Sequence, residues 1–140
     1  DGSAQRAGDE VEPPPGLAAL ETLADRARAG CLDVDVRIRG ARRPVAPAVD
    51  RASYRILQEA LTNASLHGPG TAEVDVAFGP SEIEITVVNP TVPGEAPADG
   101  GHGIVGMRER TALLGGSFDA RSSGGVFRVR ARLPYGKEDR

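Results

Sequence analysis

Residues 126–133 alternate without a break. Phe127, Val129, Ala131 and Leu133 face one way along an extended backbone, and Arg128, Arg130 and Arg132 face the other. A strand with one apolar face and one charged face belongs to a sheet with one side covered and one side wet. Such a sheet is antiparallel or mixed, with helices packed on a single face.

The rest of the chain supplies the other parts of that arrangement. Val34, Val36 and Ile38 alternate with Asp35, Arg37 and Arg39, which predicts a half-buried strand. Val74, Val76 and Phe78 alternate, Gly79-Pro80 turns the chain, and Ile83, Ile85 and Val87 alternate again, which predicts a hairpin. Ser117–Ala120 and Val126–Leu133 form a second pair, turned by Ser122-Ser123-Gly124-Gly125. Helical spacing runs through Leu17, Leu20, Leu23, Ala24 and Ala27 and stops at Gly30. It returns over 49–67 with Tyr54, Leu57, Leu61 and Ala64 on one face, ended by His67-Gly68-Pro69-Gly70. A third run, 104–114, carries Ile104, Met107, Leu113 and Leu114 before Gly115-Gly116. Arg42 to Pro47 is a connection broken by prolines. The order helix, strand, helix, hairpin, loop, helix, hairpin predicts an α/β (α+β) two-layer sandwich. Its sheet is mixed and mostly antiparallel, with about three helices on one face.

At 140 residues, with 39% hydrophobic and 26% charged side chains, the chain suits one domain with one core. Residues 1–16 are polar and proline-rich and are expected to be a linker or fragment end; 17–135 hold the domain and 136–140 a tail. No apolar run approaches the ~20 residues a membrane helix needs, and residues 1–16 have no apolar centre of the kind a secretory signal requires. Cys31 is the only cysteine, so no internal disulfide can form, which is compatible with a reducing cytoplasm. A net charge of −3 gives no nucleic-acid footprint.

Two features carry chemistry. Arg55, Glu59, Asn63 and His67 follow at intervals of four, so they lie along one stripe of the long helix. A solvated face with a weak Arg55–Glu59 ion pair accounts for such a stripe. Asn63 fits that account poorly, because asparagine is a mediocre helix former and a free surface position favours Glu, Lys or Ala. Its amide oxygen suits Mg²⁺, and a carboxylate one turn away can act as a base or orient a nucleophile.

The second feature is Gly100-Gly101-His102-Gly103-Ile104-Val105-Gly106, which follows the long proline- and glycine-rich segment 90–103 and runs into a helix. Glycines let backbone N–H groups approach a ligand, and a helix start adds partial positive charge, so this is a candidate phosphate cradle. A mobile surface loop before an ordinary helix start is the plain alternative. Gly101, Gly103 and Gly106 also spell a dinucleotide-binding pattern, but its context fails. The preceding strand ends about a dozen residues earlier, and no second parallel strand follows within the unit.

Residues Arg55 to Gly68, RILQEALTNASLHG, resemble the N box of bacterial sensor histidine kinases, in the version with QEALTN found in kinases paired with helix-turn-helix response regulators. Gly101 to Gly116, GHGIVGMRERTALLGG, resembles the G2 box of that subfamily and its following helix, and Gly124 to Pro134 is similar to its closing hairpin. The resemblance covers roughly residues 17–134. It implies the GHKL ATP-binding fold, with ATP and Mg²⁺ as ligands. By motif position it implies Asn63 as the Mg²⁺ ligand and Glu59 as the acid that activates or orients the attacking imidazole. Gly101, Gly103 and Gly106 would hold phosphates, and residues 90–102 would form a lid. His67 and His102 fall inside the ATP-site motifs. Leu61, Ala64, Ile85, Ile104 and Met107 are candidate walls for adenine, or plain core.

The family's G1 box departs here. Its usual D-x-G-x-G becomes Asn89-Pro90-Thr91-Val92-Pro93, with Asn89 where the Asp accepts a bond from the adenine amino group. An Asn oxygen still accepts that bond, at a loss on the order of 1 kcal/mol relative to a charge-assisted one. Two prolines are expected to stiffen the start of the lid. Neither histidine matches a phosphoacceptor, so the resemblance implies a fragment whose partners are its own absent dimerisation helices and a downstream response regulator. That fragment would be monomeric, cytoplasmic, without direct membrane contact, and inactive in autophosphorylation alone. A degenerate nucleotide-sensing or docking module is the competing expectation, supported by the altered G1 box. An anti-sigma serine kinase of the same fold is the third, set against by the QEALTN and GMRER residues. The outward arginines 128, 130 and 132 are expected to be a solvated face.

Overall fold

The computed structural model describes residues 16–67, 70–91 and 102–136, without the side chains of His67 and His102. A 3-10 turn (Leu17–Ala19) leads into helix α1 (Leu20–Ala29), strand β1 (Asp33–Arg39) and the long helix α2 (Pro47–His67). Hairpin β2 (Thr71–Phe78) and β3 (Glu82–Pro90) follows, then helix α3 (His102–Leu113) and hairpin β4 (Ser117–Ser123) and β5 (Val126–Pro134). The sheet order is β1-β2-β3-β5-β4. Only β1 and β2 are parallel, and α2 is the crossover that joins them. β2–β3, β3–β5 and β4–β5 are antiparallel.

The expected two-layer sandwich is therefore present. Val74, Val76, Ile83, Ile85, Val87, Phe127, Val129, Ala131 and Leu133 are all buried on one face of the sheet, at alternate positions of three neighbouring strands. Val49, Ile56, Leu57, Ala60 and Ala64 of α2 pack over them. Each large aliphatic side chain so buried contributes about 1.5–3 kcal/mol. Two hydroxyls enter this core. Ser53 Oγ donates to Val49 O at 2.8 Å and Thr111 Oγ1 to Met107 O at 2.8 Å, so neither is left without a partner.

Both short helices end in the same hydrogen-bonded turn. At α3, Gly116 N donates to Thr111 O and Gly115 N to Ala112 O, with Gly115 at φ 78°. At α1, Leu32 N donates to Ala27 O and Cys31 N to Arg28 O, and the left-handed residue is Cys31, at φ 77°. Gly30, the stop signal in the sequence, sits one position before the left-handed residue.

Three expectations need correction. The helical spacing of α3 placed Leu113 in the core, but it is 86% exposed, and Thr111, fully buried, takes the inward position after Ile104 and Met107. Residue 111 is one turn on from Met107, whereas 113 has rotated past the core-facing stripe. Segment 90–103 was expected to be loop throughout, but Pro90 closes β3, paired with Val126, and Thr91 N donates to Gly125 O. The arginine face is less wet than expected. Arg130 Nε lies 3.2 Å from Glu84 Oε2 and Arg132 Nε 3.4 Å from the same oxygen. The Arg130 N–H is not aligned on an acceptor, so this contact is an ion pair without a hydrogen bond. Such half-exposed pairs are worth up to ~1 kcal/mol each. Arg128 is exposed, as expected.

Candidate functional site

Glu59 and Asn63 leave α2 on the side that faces α3. An ideal Cβ built on Gly103 would sit 2.8 Å from Glu59 Oε1 and 3.6 Å from Asn63 Nδ2. The carboxylate, the amide and the first turn of α3 therefore meet at one place, on the same side of the sheet. The absence of a side chain at 103 is what lets the carboxylate reach the helix backbone. That first turn carries N–H groups with no partner inside the helix and the positive end of its dipole.

The plain reading of the polar stripe was a solvated face with a weak Arg55–Glu59 pair. None forms within 4.0 Å, although several other arginines are paired. Glu59 turns to Gly103 instead, and both Glu59 and Asn63 are half-buried. A Cβ built on Gly106, one turn further along α3, would meet only Arg110 Nη1, at 3.7 Å. Arg110 was not among the candidates from the sequence, and its only signal was a basic residue one helical turn beyond a glycine.

Asn89 is 4% exposed, in line with Ile83, Ile85 and Val87 on the covered face of β3. Its Nδ2 donates to Pro90 O at 3.0 Å, which leaves the acceptor Oδ1 unused by that bond. The register sets Val88 opposite Glu73. Asn89 thus lies at the end of the sheet where β2 begins, directly after the C-terminal end of α2 that bears Asn63. Ile104, Met107, Leu61, Ala64 and Ile85, the candidate walls, are all buried core residues, at most 3% exposed. Gly101, most of the expected lid and the side chains of His67 and His102 lie outside the described residues. Among the described residues no group of three or more His, Cys, Asp or Glu side chains converges.

Arg39, Asp75 and the outer charges stand apart from this site, on the opposite face of the sheet: Arg39 Nε pairs with Asp75 Oδ1 at 3.0 Å. No helix among the described residues is long and apolar enough to cross a membrane. No protein-family model and no curated protein matches the sequence. Solved structures do match by shape. The Acinetobacter baumannii histidine kinase AdeS aligns with 86% of this chain and 62% of its own, at TM-score 0.63 and 16% identity. The Erythrobacter litoralis EL346 blue-light activated histidine kinase aligns with 89% of this chain and 43% of its own, at TM-score 0.67 and 20% identity. The catalytic domain of histidine kinase ThkA, in a nucleotide-free form, aligns with 84% of this chain and 88% of its own, at TM-score 0.61 and 14% identity. The chain thus spans less than two thirds of the first two of these structures. It has the fold of histidine kinase catalytic domains, a mixed five-stranded sheet with its helices on one face.

Proposed function

We propose that this chain is an ATP-binding domain of a histidine kinase, which passes the γ-phosphoryl group of Mg-ATP to a histidine on a helix outside these residues. The observation that carries the proposal is the meeting of Glu59 and Asn63 with the glycine-opened first turn of α3. A carboxylate, an amide and free backbone N–H groups are what a phosphate with a hard cation requires.

In this proposal the first turn of α3 binds phosphate oxygens through N–H groups and its dipole. The Asn63 amide oxygen would hold Mg²⁺, which neutralises phosphate charge when bound. Asn89 Oδ1 accepts from the exocyclic amine of adenine. The incoming imidazole nitrogen forms a bond to the γ-phosphorus as the bond to the β–γ bridging oxygen breaks. ADP leaves with that electron pair, and Glu59 orients the imidazole and takes its N–H proton. Phosphoryl transfer of this kind asks mainly for positioning and electrostatics, which this small set of groups can supply. The helices that carry the acceptor and a downstream response regulator are the partners it implies.

The test is to add a helical acceptor fragment and radiolabelled ATP, and to look for acid-labile, alkali-stable label. The proposal predicts label in the parent chain and its loss in Glu59→Gln and in Asn63→Ala. No label, with binding of Mg-ATP intact, would reduce the domain to a nucleotide sensor or docking module.

A further inference from the structure

A cleft of about 420 Å³ continues along the same α2–α3 seam, away from Glu59 and Asn63. The two helices run antiparallel. Gly103 lies at residues 59 and 63, while Arg110, Leu113 and Leu114 lie beside Ala48, Arg51, Ala52 and Arg55. The cleft's apolar lining comes from Ala48, Ala52 and Leu114, with Ala52 buried, and Leu113 beside them has 86% of its surface exposed. Its two rims are basic: Arg51 and Arg55 rise from α2, and Arg110 from α3.

Arg28, Arg39, Arg121, Arg130 and Arg132 each lie within 4.0 Å of a carboxylate. Arg51, Arg55 and Arg110 have no such partner among the described residues, and Arg55 has been left by Glu59, its neighbour one turn on. Other described arginines, Arg26, Arg37 and Arg128 among them, also lack a carboxylate within 4.0 Å, and what sets Arg51, Arg55 and Arg110 apart is that they line one apolar cleft. Arg51 and Arg55 also repel each other at i, i+4 spacing, which costs a few tenths of a kcal/mol in a helix. An apolar floor with Arg51 and Arg55 on one side and Arg110 on the other is the complement of an apolar stripe flanked by carboxylates.

We propose that this cleft is a docking groove for an acidic amphipathic helix carried by another polypeptide. A trough between two antiparallel helices accepts a third helix, and small residues at Ala48 and Ala52 allow close approach. The incoming apolar stripe covers Leu113, Leu114 and Ala52. Its flanking Glu or Asp residues reach Arg51 and Arg55 on one side and Arg110 on the other, the arrangement by which charges beside an apolar seam set partner choice. The rim pairs make association fast and salt-sensitive, and the covered leucines hold the complex. This surface does not depend on the nucleotide reading and would remain if that reading failed.

The experiment uses the full 140-residue chain and three synthetic peptides. One is amphipathic and helical, with leucines at i, i+3, i+4 and i+7 flanked by glutamates. The second has the same composition scrambled, and the third has the glutamates replaced by lysines. Fluorescence polarisation is expected to show the first bound at least about tenfold tighter than either of the others. Arg51→Glu and Leu113→Asp, both at exposed positions, are each expected to weaken it at least about tenfold with the thermal midpoint unchanged. Equal binding of the scrambled peptide, a preference for the lysine peptide, or no effect of either substitution would overturn the proposal. So would sedimentation showing a dimer of this chain that Leu113→Asp dissociates, since the cleft would then be a self-interface.

Discussion

At Gly103 one hydrogen stands where any other residue would place a methyl group 2.8 Å from Glu59 Oε1. Gly103→Ala should therefore push the carboxylate aside while leaving the helix no worse, since alanine favours helix by about 0.5–1 kcal/mol over glycine. Mg-ATP affinity by calorimetry is expected to fall about tenfold, roughly 1.4 kcal/mol, with a thermal midpoint equal to or above that of the parent. Asn89 gives the opposite pattern. With Asn89 in the adenine-accepting role proposed above, Asn89→Asp supplies a charge-assisted acceptor and should tighten Mg-ATP by about 1 kcal/mol. It should also destabilise the unliganded chain by about 1–3 kcal/mol, because the new carboxylate is 4% exposed. Calorimetric titration and urea unfolding read the two effects separately. Glu59 and Asn63 were legible as a pair because i, i+4 spacing alone aligns them. That Gly103, not Gly106, faces them was not legible, because it depends on the rotation of α3 about its own axis, which neighbouring elements set.

The strands were the most legible elements. Alternation is a period of two, and a slip of one residue would turn every core side chain of β5 to solvent. The short helix α3 was less so, and Leu113 shows why: it has an apolar side chain within helical reach of the core, yet faces out at 86% exposure. Composition marks a residue as apolar, and only packing decides whether it is covered. The α1 turn supports a prediction of its own. Cys31 holds φ 77° where α3 uses Gly115 at 78°. A left-handed non-glycine residue costs roughly 1–2 kcal/mol, partly offset by the extra freedom glycine has when unfolded. Cys31→Gly should raise stability by about 0.5–1 kcal/mol, measured by urea denaturation, and a loss of stability would contradict the assignment of that turn. At the end of β5, Tyr135 OH donates to Gly79 O at 2.7 Å. Burial raises its phenol above the ordinary 10.0, opposed by Arg43 and reinforced by Glu82. A raised value in the folded state means the stabilisation is whole below pH 10 and fades as pH climbs through the folded value. The thermal midpoint should fall above that pH in the parent, and Tyr135→Phe should flatten the fall.

For the whole molecule, the sheet serves as the base that fixes α2, and α2 in turn presents Glu59 and Asn63 to the start of α3. One wet face and one covered face follow from the alternating strands, so the two layers were legible, whereas the strand order β1-β2-β3-β5-β4 and the parallel pairing of β1 with β2 depend on contacts distant in sequence and were not. The linear pattern also could not show the seam between α2 and α3, where the candidate site and the basic cleft both lie. Its shape depends on how two helices far apart in sequence are phased against one another. The central claim, that a metal-bound phosphate sits between Asn63 and the first turn of α3, is tested most directly by nuclear magnetic resonance with paramagnetic Mn²⁺ and ATP. The account predicts selective broadening of the Asn63 side-chain amide and the Gly103 backbone amide, with Thr86 and Arg130 on the far face of the sheet unaffected. Broadening centred on that far face, or none at Asn63 and Gly103 under saturating nucleotide, would contradict it.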